Sequence, residues 1–157
     1  VEAVSAVNYQ RKEMMANKII SACGGGVDKK TIAILGLTFK PNTDDMREAP
    51  SISIVAGLLK AGAKVRVFDP EGMIEAKKLI DTKSVEWCDD AYDAAKGTDA
   101  LTIVTEWNEF RALDLDRLKN VMKGRVMVDL RNIYDPDEMS VSGFEYYCIG
   151  RSSLPPA

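Results

Sequence analysis

The segment from Thr31 to Ser51, TIAILGLTFKPNTDDMREAPS, constrains the fold more than any other part of the chain. It begins with consecutive apolar residues, which are typical of a strand buried on both faces, and Gly36 ends that strand. A long charged loop follows, and a helix begins near Pro50. An open α/β sheet builds its ligand sites from such parts, at the carboxyl ends of its strands.

The remaining sequence alternates short apolar strands with helical segments. Further strands are predicted at residues 64–69, 84–87, 100–105, 125–129 and 145–150. Helices are predicted at residues 2–22, 50–61, 70–80 and from 89 or 90 to 97, and two more flank a break near Leu113. Such alternation predicts an α/β fold: a three-layer Rossmann-like sandwich with a mainly parallel sheet, preceded by the end of a long helix. The mostly apolar strand 100–105, ALTIVT, should be central.

Length and composition allow one well-cored domain, since the chain has 157 residues and is 46% hydrophobic. We expect residues 1–22 to be the end of the long helix, 23–30 a linker, 31–150 the ligand-binding domain and 151–157 a disordered tail. The chain begins without Met and within a helical pattern, so we expect it to be part of a longer protein.

Charge and residue content exclude several classes of function. A net charge of −3 without a basic block argues against nucleic-acid binding, and no apolar run approaches the length of a membrane span. The absence of histidine removes the usual general base, the serine–histidine triad and most catalytic zinc sites. We therefore predict that this chain holds neither a catalytic residue nor a metal.

The cysteines indicate a cytoplasmic protein with reduced thiols, because they lack CxxC spacing and the first residues do not resemble a signal peptide. Cys23, beside three glycines, is expected to be a flexible thiol with no neighbouring base to activate it. Cys88 and Cys148 lie in apolar surroundings and should be inert.

Two residues of the first loop are candidates for contact with a ligand. Lys40 precedes the helix that begins near Pro50, and an ammonium group beside a helix N-terminus suits a diphosphate. The alternative is a solvated lysine. Phe39 could stack on a base or, equally, fill the core beneath the loop.

Other acidic and basic residues near this edge have two interpretations each. The charges at Asp44, Asp45, Arg47 and Glu48 could form a site, or an internal ion-pair network that shapes the loop. Asp69 ends the second strand, where Rossmann folds place the acid that binds ribose, but it could instead be the N-cap of the next helix.

Further candidates follow the fourth and fifth strands. Glu106 and Trp107 come after the fourth strand, and Trp107 is more typical of packing than of stacking on a ligand. Arg131 could bind phosphate or ribose, or form an ion pair with Asp129 or Asp135. The combined pattern predicts a site for an anionic, nucleotide-like ligand along one edge of the sheet, formed by Phe39, Lys40, Trp107 and Arg131.

Four motifs together resemble the C-terminal domain of the UDP-glucose/GDP-mannose dehydrogenase family: GLTFKPNTDDMREAPS, FDP at 68–70, TEWNEF at 105–110 and VDLRN at 128–132. The resemblance extends over residues 1–150, and the dozen ordered positions of the first motif make it specific. In that family an N-terminal Rossmann domain binds NAD, a long central helix forms the dimer, and this C-terminal domain closes over the nucleotide sugar.

The resemblance implies roles for particular residues. Residues 2–22 would be the end of the central dimerisation helix. Phe39 and Lys40 match the nucleotide-contacting Phe-Lys pair of the family, and Arg131 matches its substrate-binding arginine. Four further residues match the motifs and are expected to have loop-shaping or secondary roles: Asp45, Arg47, Glu106 and Trp107.

The resemblance also implies a reaction: oxidation of the sugar C6 alcohol to a carboxylate in two NAD-dependent steps, through a thiohemiacetal on a cysteine. The glycine fingerprint for NAD and the glycine-flanked nucleophilic cysteine of the family do not occur in this chain. We therefore expect an inactive UDP-sugar-binding half-site whose partners are the NAD-binding domain of the same protein and a second copy. UDP-glucose is the expected substrate; GDP-mannose, UDP-N-acetylmannosamine or a regulatory nucleotide-binding module are the alternatives.

Overall fold

The computed structural model describes residues 13–150, which form one six-stranded sheet in the order β3-β2-β1-β4-β5-β6. All five pairs of neighbouring strands are parallel. The strands are β1 (Thr31–Leu35), β2 (Lys64–Phe68), β3 (Val85–Trp87), β4 (Ala100–Ile103), β5 (Val126–Asp129) and β6 (Glu145–Cys148). The predicted Rossmann-like α/β fold is confirmed, with β1 and the apolar β4 at the centre.

Seven helices accompany the sheet within the described range. They are α1 (residues 13–22), α2 (Pro50–Lys60), α3 (Met73–Ala76), α4 (Ala91–Ala95), α5 (Asn108–Arg111), α6 (Leu115–Val121) and α7 (Pro136–Ser140). The beginning of the helix predicted at 2–22 and the tail predicted at 151–157 lie outside the described residues. None of the helices within 13–150 is long and apolar enough to cross a bilayer.

The two faces of the sheet are covered by separate hydrophobic cores, which makes the fold a three-layer sandwich. In β1, Ile32 and Ile34 pack into one core with α1 and α2, whereas Ala33 and Leu35 pack into the other. The second core lies under α4 to α7. Both sets of β1 side chains are fully buried, and this is why the strand has no polar alternation.

Helix α2 begins and ends where the sequence predicts. Pro50 occupies its first turn, and Gly62, with φ of +92°, follows its last residues. The amide N–H groups of Gly62 and Ala63 donate to the carbonyl oxygens of Leu59 and Leu58, each at 3.0 Å. This is the Schellman arrangement, which a left-handed glycine permits without strain.

Two helices differ from the sequence analysis. The helix predicted at 70–80 is helical only over Met73–Ala76, and the N–H groups of Lys78 and Leu79 then bond three residues back instead of four. The exposed Ile74 and Leu79 give this segment no continuous apolar face to bury. Helix α7 was not predicted, because Met139 is its single buried residue and leaves no hydrophobic period.

All three cysteines are free and buried. The expectation of a flexible Cys23 is wrong: the residue is 8% exposed, and its carbonyl oxygen accepts a 2.6 Å bond from Lys30 Nζ. Burial raises the pKa of the Cys23 thiol and raises that of Cys88 to about 11. Thiols with raised pKa values are poor nucleophiles at neutral pH.

Candidate functional site

The candidate site lies where the strand order reverses. The chain moves outward from β1 to β2 and β3, then returns to place β4 on the other side of β1. The loops that leave β1 and β4 therefore start side by side and turn in opposite directions. Open α/β sheets bind their ligands in the crevice formed at such a point.

Gly36 lets the two loops approach each other closely. Its φ is +94°, and a Cβ built on it would lie 2.5 Å from Thr105 Cβ and 2.6 Å from Thr105 N. No L-residue with a side chain would fit there without movement of the β4 loop. The glycine that ends the first strand is thus required for contact between protein segments.

Asp69 at the end of β2 holds the start of the first loop. The residue is 1% exposed, and its Oδ2 accepts bonds from the N–H groups of Leu37 at 2.7 Å and Thr38 at 3.1 Å. The same oxygen accepts a 3.2 Å bond from Trp107 Nε1. One carboxylate therefore joins the carboxyl ends of β1, β2 and β4.

The other oxygen of Asp69 organises the turn that follows β2. Oδ1 accepts bonds from the N–H groups of Glu71 at 2.9 Å and Gly72 at 2.7 Å. The N-cap residue of α3 is Gly72, so Asp69 is not the helix cap that the sequence suggested. Its buried oxygens are occupied by protein donors, so we assign Asp69 to the loop and not to a ribose.

Additional bonds fix the backbone around Phe39 and Lys40. Thr105 Oγ1 donates to Thr38 O at 2.7 Å, and Thr38 Oγ1 lies 3.0 Å from Lys40 O. The Phe39 N–H donates to Asp45 O at 2.8 Å. The loop backbone is thereby held at several points along its length.

The side chains of Phe39 and Lys40 extend from this fixed backbone. Phe39 is 48% exposed, so the interpretation that it fills the core is wrong, and its ring can be reached from solvent. Lys40 is also exposed, and its ammonium has no hydrogen-bond partner among residues 13–150. An aromatic face and a cation stand next to each other on an ordered loop.

Asp45 and Arg47 form an ion pair within the same loop. Arg47 N and Nε donate to Asp45 Oδ1 at 2.9 and 3.1 Å, and Arg47 Nη2 donates to Oδ2 at 3.0 Å. The hydrogen bonds from Arg47 lower the pKa of the Asp45 carboxyl from 3.8 to about 2. The Arg47 side chain is 90% exposed, so this pair is in contact with solvent.

Asp129 at the end of β5 has the role that Asp69 has at the end of β2. It is fully buried, and Oδ1 accepts a 3.1 Å bond from the Arg131 N–H. Oδ2 accepts bonds from the N–H groups of Ile133 at 2.9 Å and Tyr134 at 3.0 Å, and from the Tyr146 hydroxyl at 2.7 Å. The turn that carries Arg131 is therefore ordered by a buried carboxylate.

The guanidinium of Arg131 pairs with Glu106, and not with Asp129 or Asp135 as the sequence suggested. Arg131 Nε donates to Glu106 Oε2, and this bond lowers the pKa of the Glu106 carboxyl. The oxygens of Asp129 already accept bonds from backbone N–H groups and from the Tyr146 hydroxyl. Asp135 caps α7 by accepting a 2.9 Å bond from Asp137 N. The β4 and β5 loops are adjacent in the sheet, and this adjacency selects the partner.

Sequence reasoning missed Asn132 as a structural residue of this edge. Its φ is +54°, and its side-chain amide exchanges two hydrogen bonds with the backbone of Ile149, at 2.9 and 3.0 Å. Asparagine tolerates the left-handed region, which is the one sequence signal that could have indicated this role. The bonds join the Arg131 turn to the chain that follows β6.

The structure thus arranges the predicted residues on three adjacent strands. Phe39 and Lys40 follow β1, Glu106 and Trp107 follow β4, and Arg131 follows β5. Contacts join the first loop to the second through Thr38 and Thr105, and the second to the third through Glu106 and Arg131. Trp107 is 7% exposed and packs in the core, as its packing interpretation predicts.

These features define a Rossmann-like α/β domain with three clamped loops at its ligand-binding edge. The family model for the UDP binding domain of the UDP-glucose/GDP-mannose dehydrogenase family matches residues 33–136. The chain belongs to that family. Among residues 13–150 we find no cluster of acidic and cysteine side chains that could hold a metal ion.

Similar proteins agree with this assignment. The chain is 56% identical over 96% of its length to a UDP-glucose 6-dehydrogenase of Rhizobium meliloti, of which it covers 34%. A UDP-glucose dehydrogenase structure from Pyrobaculum islandicum has a TM-score of 0.65 at 31% identity, over 76% of this chain and 26% of that one.

A third relative shows the same fold at somewhat lower sequence identity. An NDP-N-acetyl-D-galactosaminuronic acid dehydrogenase structure from Methanosarcina mazei has a TM-score of 0.73 at 29% identity, over 92% of this chain and 29% of that one. The chain spans about a third of the length of the curated relatives it matches.

Proposed function

We propose that the chain is the nucleotide-sugar-binding domain of a UDP-glucose 6-dehydrogenase, whose full-length form oxidises UDP-glucose to UDP-glucuronate with two NAD. One observation carries the proposal: two cations, Lys40 and Arg131, extend from clamped loops at the carboxyl ends of β1 and β5. The 56% identical relative favours UDP-glucose over GDP-mannose or UDP-N-acetylmannosamine. A regulatory nucleotide-binding module would need the same cations, so the proposal that the full-length protein is an enzyme depends on its membership of the family.

Each proposed contact follows from the chemistry of its side chain. Phe39 offers an exposed ring on which a uracil base can stack. Lys40 supplies a point charge for the diphosphate, and the guanidinium of Arg131 has N–H donors beyond Nε for phosphate oxygens. Hydrogen bonds between such cations and phosphate each contribute about 1.5–3 kcal/mol.

The described residues do not fit an NAD site, which supports our proposal that another part of the full-length protein binds NAD. In a dinucleotide-binding Rossmann fold, glycines after the first strand let the backbone approach the pyrophosphate. Here that approach at Gly36 is taken by Thr105. The acid at the end of β2, which would bind ribose, is the buried Asp69.

Chemistry and assembly are likewise proposed for the full-length protein. The buried thiols of this chain have raised pKa values or apolar surroundings, so we propose that the nucleophile lies elsewhere and that the chain alone produces no NADH from NAD and UDP-glucose. We also propose a homodimer through the central helix, of which residues 1–22 would be the end, and a cytoplasmic location.

Calorimetric titration of the full chain with UDP and with uridine tests the proposal. Lys40→Ala and Arg131→Ala should each weaken UDP binding by about ten- to a hundredfold and leave uridine binding unchanged, since about 1.4 kcal/mol is a factor of ten. Matched controls lie at the opposite edge of the sheet: Lys64→Ala at the start of β2 and Arg125→Ala just before β5. Both control residues are exposed, and neither substitution should change the affinity for UDP or for uridine.

Three results would contradict the proposal. Failure of the wild-type chain to bind UDP would show that the chain has no nucleotide site of its own. Variants of Lys40 and Arg131 that bind UDP as wild type does would show that these two cations do not bind the nucleotide. An equal loss of uridine and UDP would show that these residues do not act on phosphate.

A further inference from the structure

We infer that Glu106 is a positioning residue of this site, which holds Arg131 by its Nε and leaves the outer guanidinium nitrogens for a phosphate oxygen. The inference rests on the proposed function, because it takes Arg131 to contact the nucleotide. It assigns a role to an acidic residue in a site for an anion, where a negative charge by itself would weaken binding.

The backbone of Glu106 is fixed on both sides. Its neighbours Thr105 and Trp107 are 1% and 7% exposed. Thr105 Oγ1 donates to Thr38 O in the first loop at 2.7 Å, and Trp107 Nε1 donates to Asp69 Oδ2 at 3.2 Å. Because both bonds reach the ends of other strands, the Glu106 carboxylate extends from a segment with little freedom.

The backbone of Arg131 is fixed in the same way. Its N–H donates to the buried Asp129 at 3.1 Å. The next residue, Asn132, is joined to Ile149 by a reciprocal pair of hydrogen bonds. The ion pair between Glu106 and Arg131 therefore links two ordered segments, in contrast to most surface ion pairs, in which mobile side chains lose entropy on contact.

The geometry of the pair leaves part of the guanidinium available. Arginine has five N–H donors, and the contact with Glu106 uses the one on Nε. Among residues 13–150 the two outer nitrogens of Arg131 have no hydrogen-bond partner, and the side chain is 36% exposed. A phosphate can thus form bidentate hydrogen bonds with the two outer nitrogens, as is typical of arginine, without displacing Glu106.

A competing role for Glu106 predicts the opposite sign. If the carboxylate occupied the place of the ligand phosphate, its removal would free Arg131 and strengthen UDP binding. If it positions Arg131, its removal lets the long side chain sample other rotamers, and binding must then order it again. That ordering corresponds to about three- to tenfold in affinity.

Calorimetry on the full chain, with UDP and uridine as probes, separates these roles. Glu106→Ala should weaken UDP binding by about three- to tenfold. Glu106→Gln keeps an acceptor for Nε and should restore most of that affinity. Uridine binding should not change. In an Arg131→Ala background Glu106→Ala should have no further effect. Glu86→Ala, which removes one of the two acidic partners of Arg66 on β2, is a matched control and should leave UDP binding unchanged.

Several outcomes would overturn the inference alone, provided that wild type binds UDP and Arg131→Ala weakens it. The first is unchanged or tighter UDP binding by Glu106→Ala. The second is a loss of UDP affinity from Glu106→Ala that is as large in the Arg131→Ala background as in wild type. The others are a loss of uridine affinity equal to the loss of UDP affinity, or a Glu106→Gln variant that binds UDP as weakly as Glu106→Ala. If wild type does not bind UDP, or Arg131→Ala has no effect, the proposed function fails and the inference fails with it. Urea unfolding of each variant confirms that it is folded.

Discussion

Replacement of Asp69 by asparagine should destabilise the domain far more than most single substitutions do. The carboxylate has protein donors around both oxygens and is 1% exposed. An asparagine can keep its oxygen on the side of Leu37, Thr38 and Trp107, where more donors converge. Its NH₂ group then faces the N–H groups of the turn after β2, which donate to Oδ1 in the native protein.

The magnitude follows from the two lost acceptor contacts. Hydrogen bonds to a charged group contribute about 1.5–3 kcal/mol each, so the loss of two gives a destabilisation of about 3–6 kcal/mol. For a urea m-value of about 2 kcal/mol/M, the unfolding midpoint should fall by about 1.5–3 M. Such a change is a large fraction of the total stability of a domain, which is typically about 5–15 kcal/mol.

Equilibrium urea unfolding, followed by tryptophan fluorescence, measures this change. Asp116→Asn is the control: the same chemical change occurs on α6, where the Asp116 side chain is 88% exposed and pairs with Lys119. The control should lose less than about 0.5 kcal/mol. A loss below about 1 kcal/mol for Asp69→Asn would refute the assignment of Asp69 as the residue that joins three strand ends.

Two further predictions concern the first loop. Gly36→Ala should lower the free energy of unfolding by about 2–5 kcal/mol, of which about 1–2 is backbone strain and about 1–3 is overpacking against Thr105. Gly97→Ala, at φ of +70° in open space, should lose only the strain. Equal losses for the two variants in urea unfolding would show that Gly36 makes no close contact. The pKa of Asp45 is lowered to about 2, so the contribution of its pair with Arg47 to stability is complete above the unfolded pKa and is lost as pH falls through about 2. Arg47→Ala should return the Asp45 pKa towards 3.8, as measured by NMR titration of the side-chain carboxyl carbon, and an unchanged value would show that Arg47 does not cause the shift.

Local sequence was sufficient for the elements whose signals lie within a few residues. The apolar runs of β1 and β4 identified strands buried on both faces, and the structure places both strands at the centre of the sheet. Pro50 and Gly62 marked the ends of α2 because each acts through its own backbone dihedral angles. The alternation of elements then predicted a mainly parallel sheet, and all five strand pairs are parallel.

Weak local signals led to the errors in the helices. Helix α3 has exposed apolar residues on a segment with mixed periodicity, and α7 has one buried residue in five. In such short segments the hydrophobic pattern is too brief to define a face, so contacts with the rest of the fold decide where the helix begins and ends. The burial of Cys23 has the same origin, because α1 and its following turn pack against the sheet.

The sequence by itself determined which residues reach the candidate site, since the carboxyl end of each parallel strand lies at one edge of the sheet. It identified Phe39, Lys40 and Arg131 in this way. Only the tertiary structure decided their partners and exposure. Arg131 pairs with Glu106, 25 residues away, because β4 and β5 are neighbours, and Asp69 joins three loops because β2 lies beside β1. Partner choice depends on distances between strand ends, and those distances exist only once the sheet has formed.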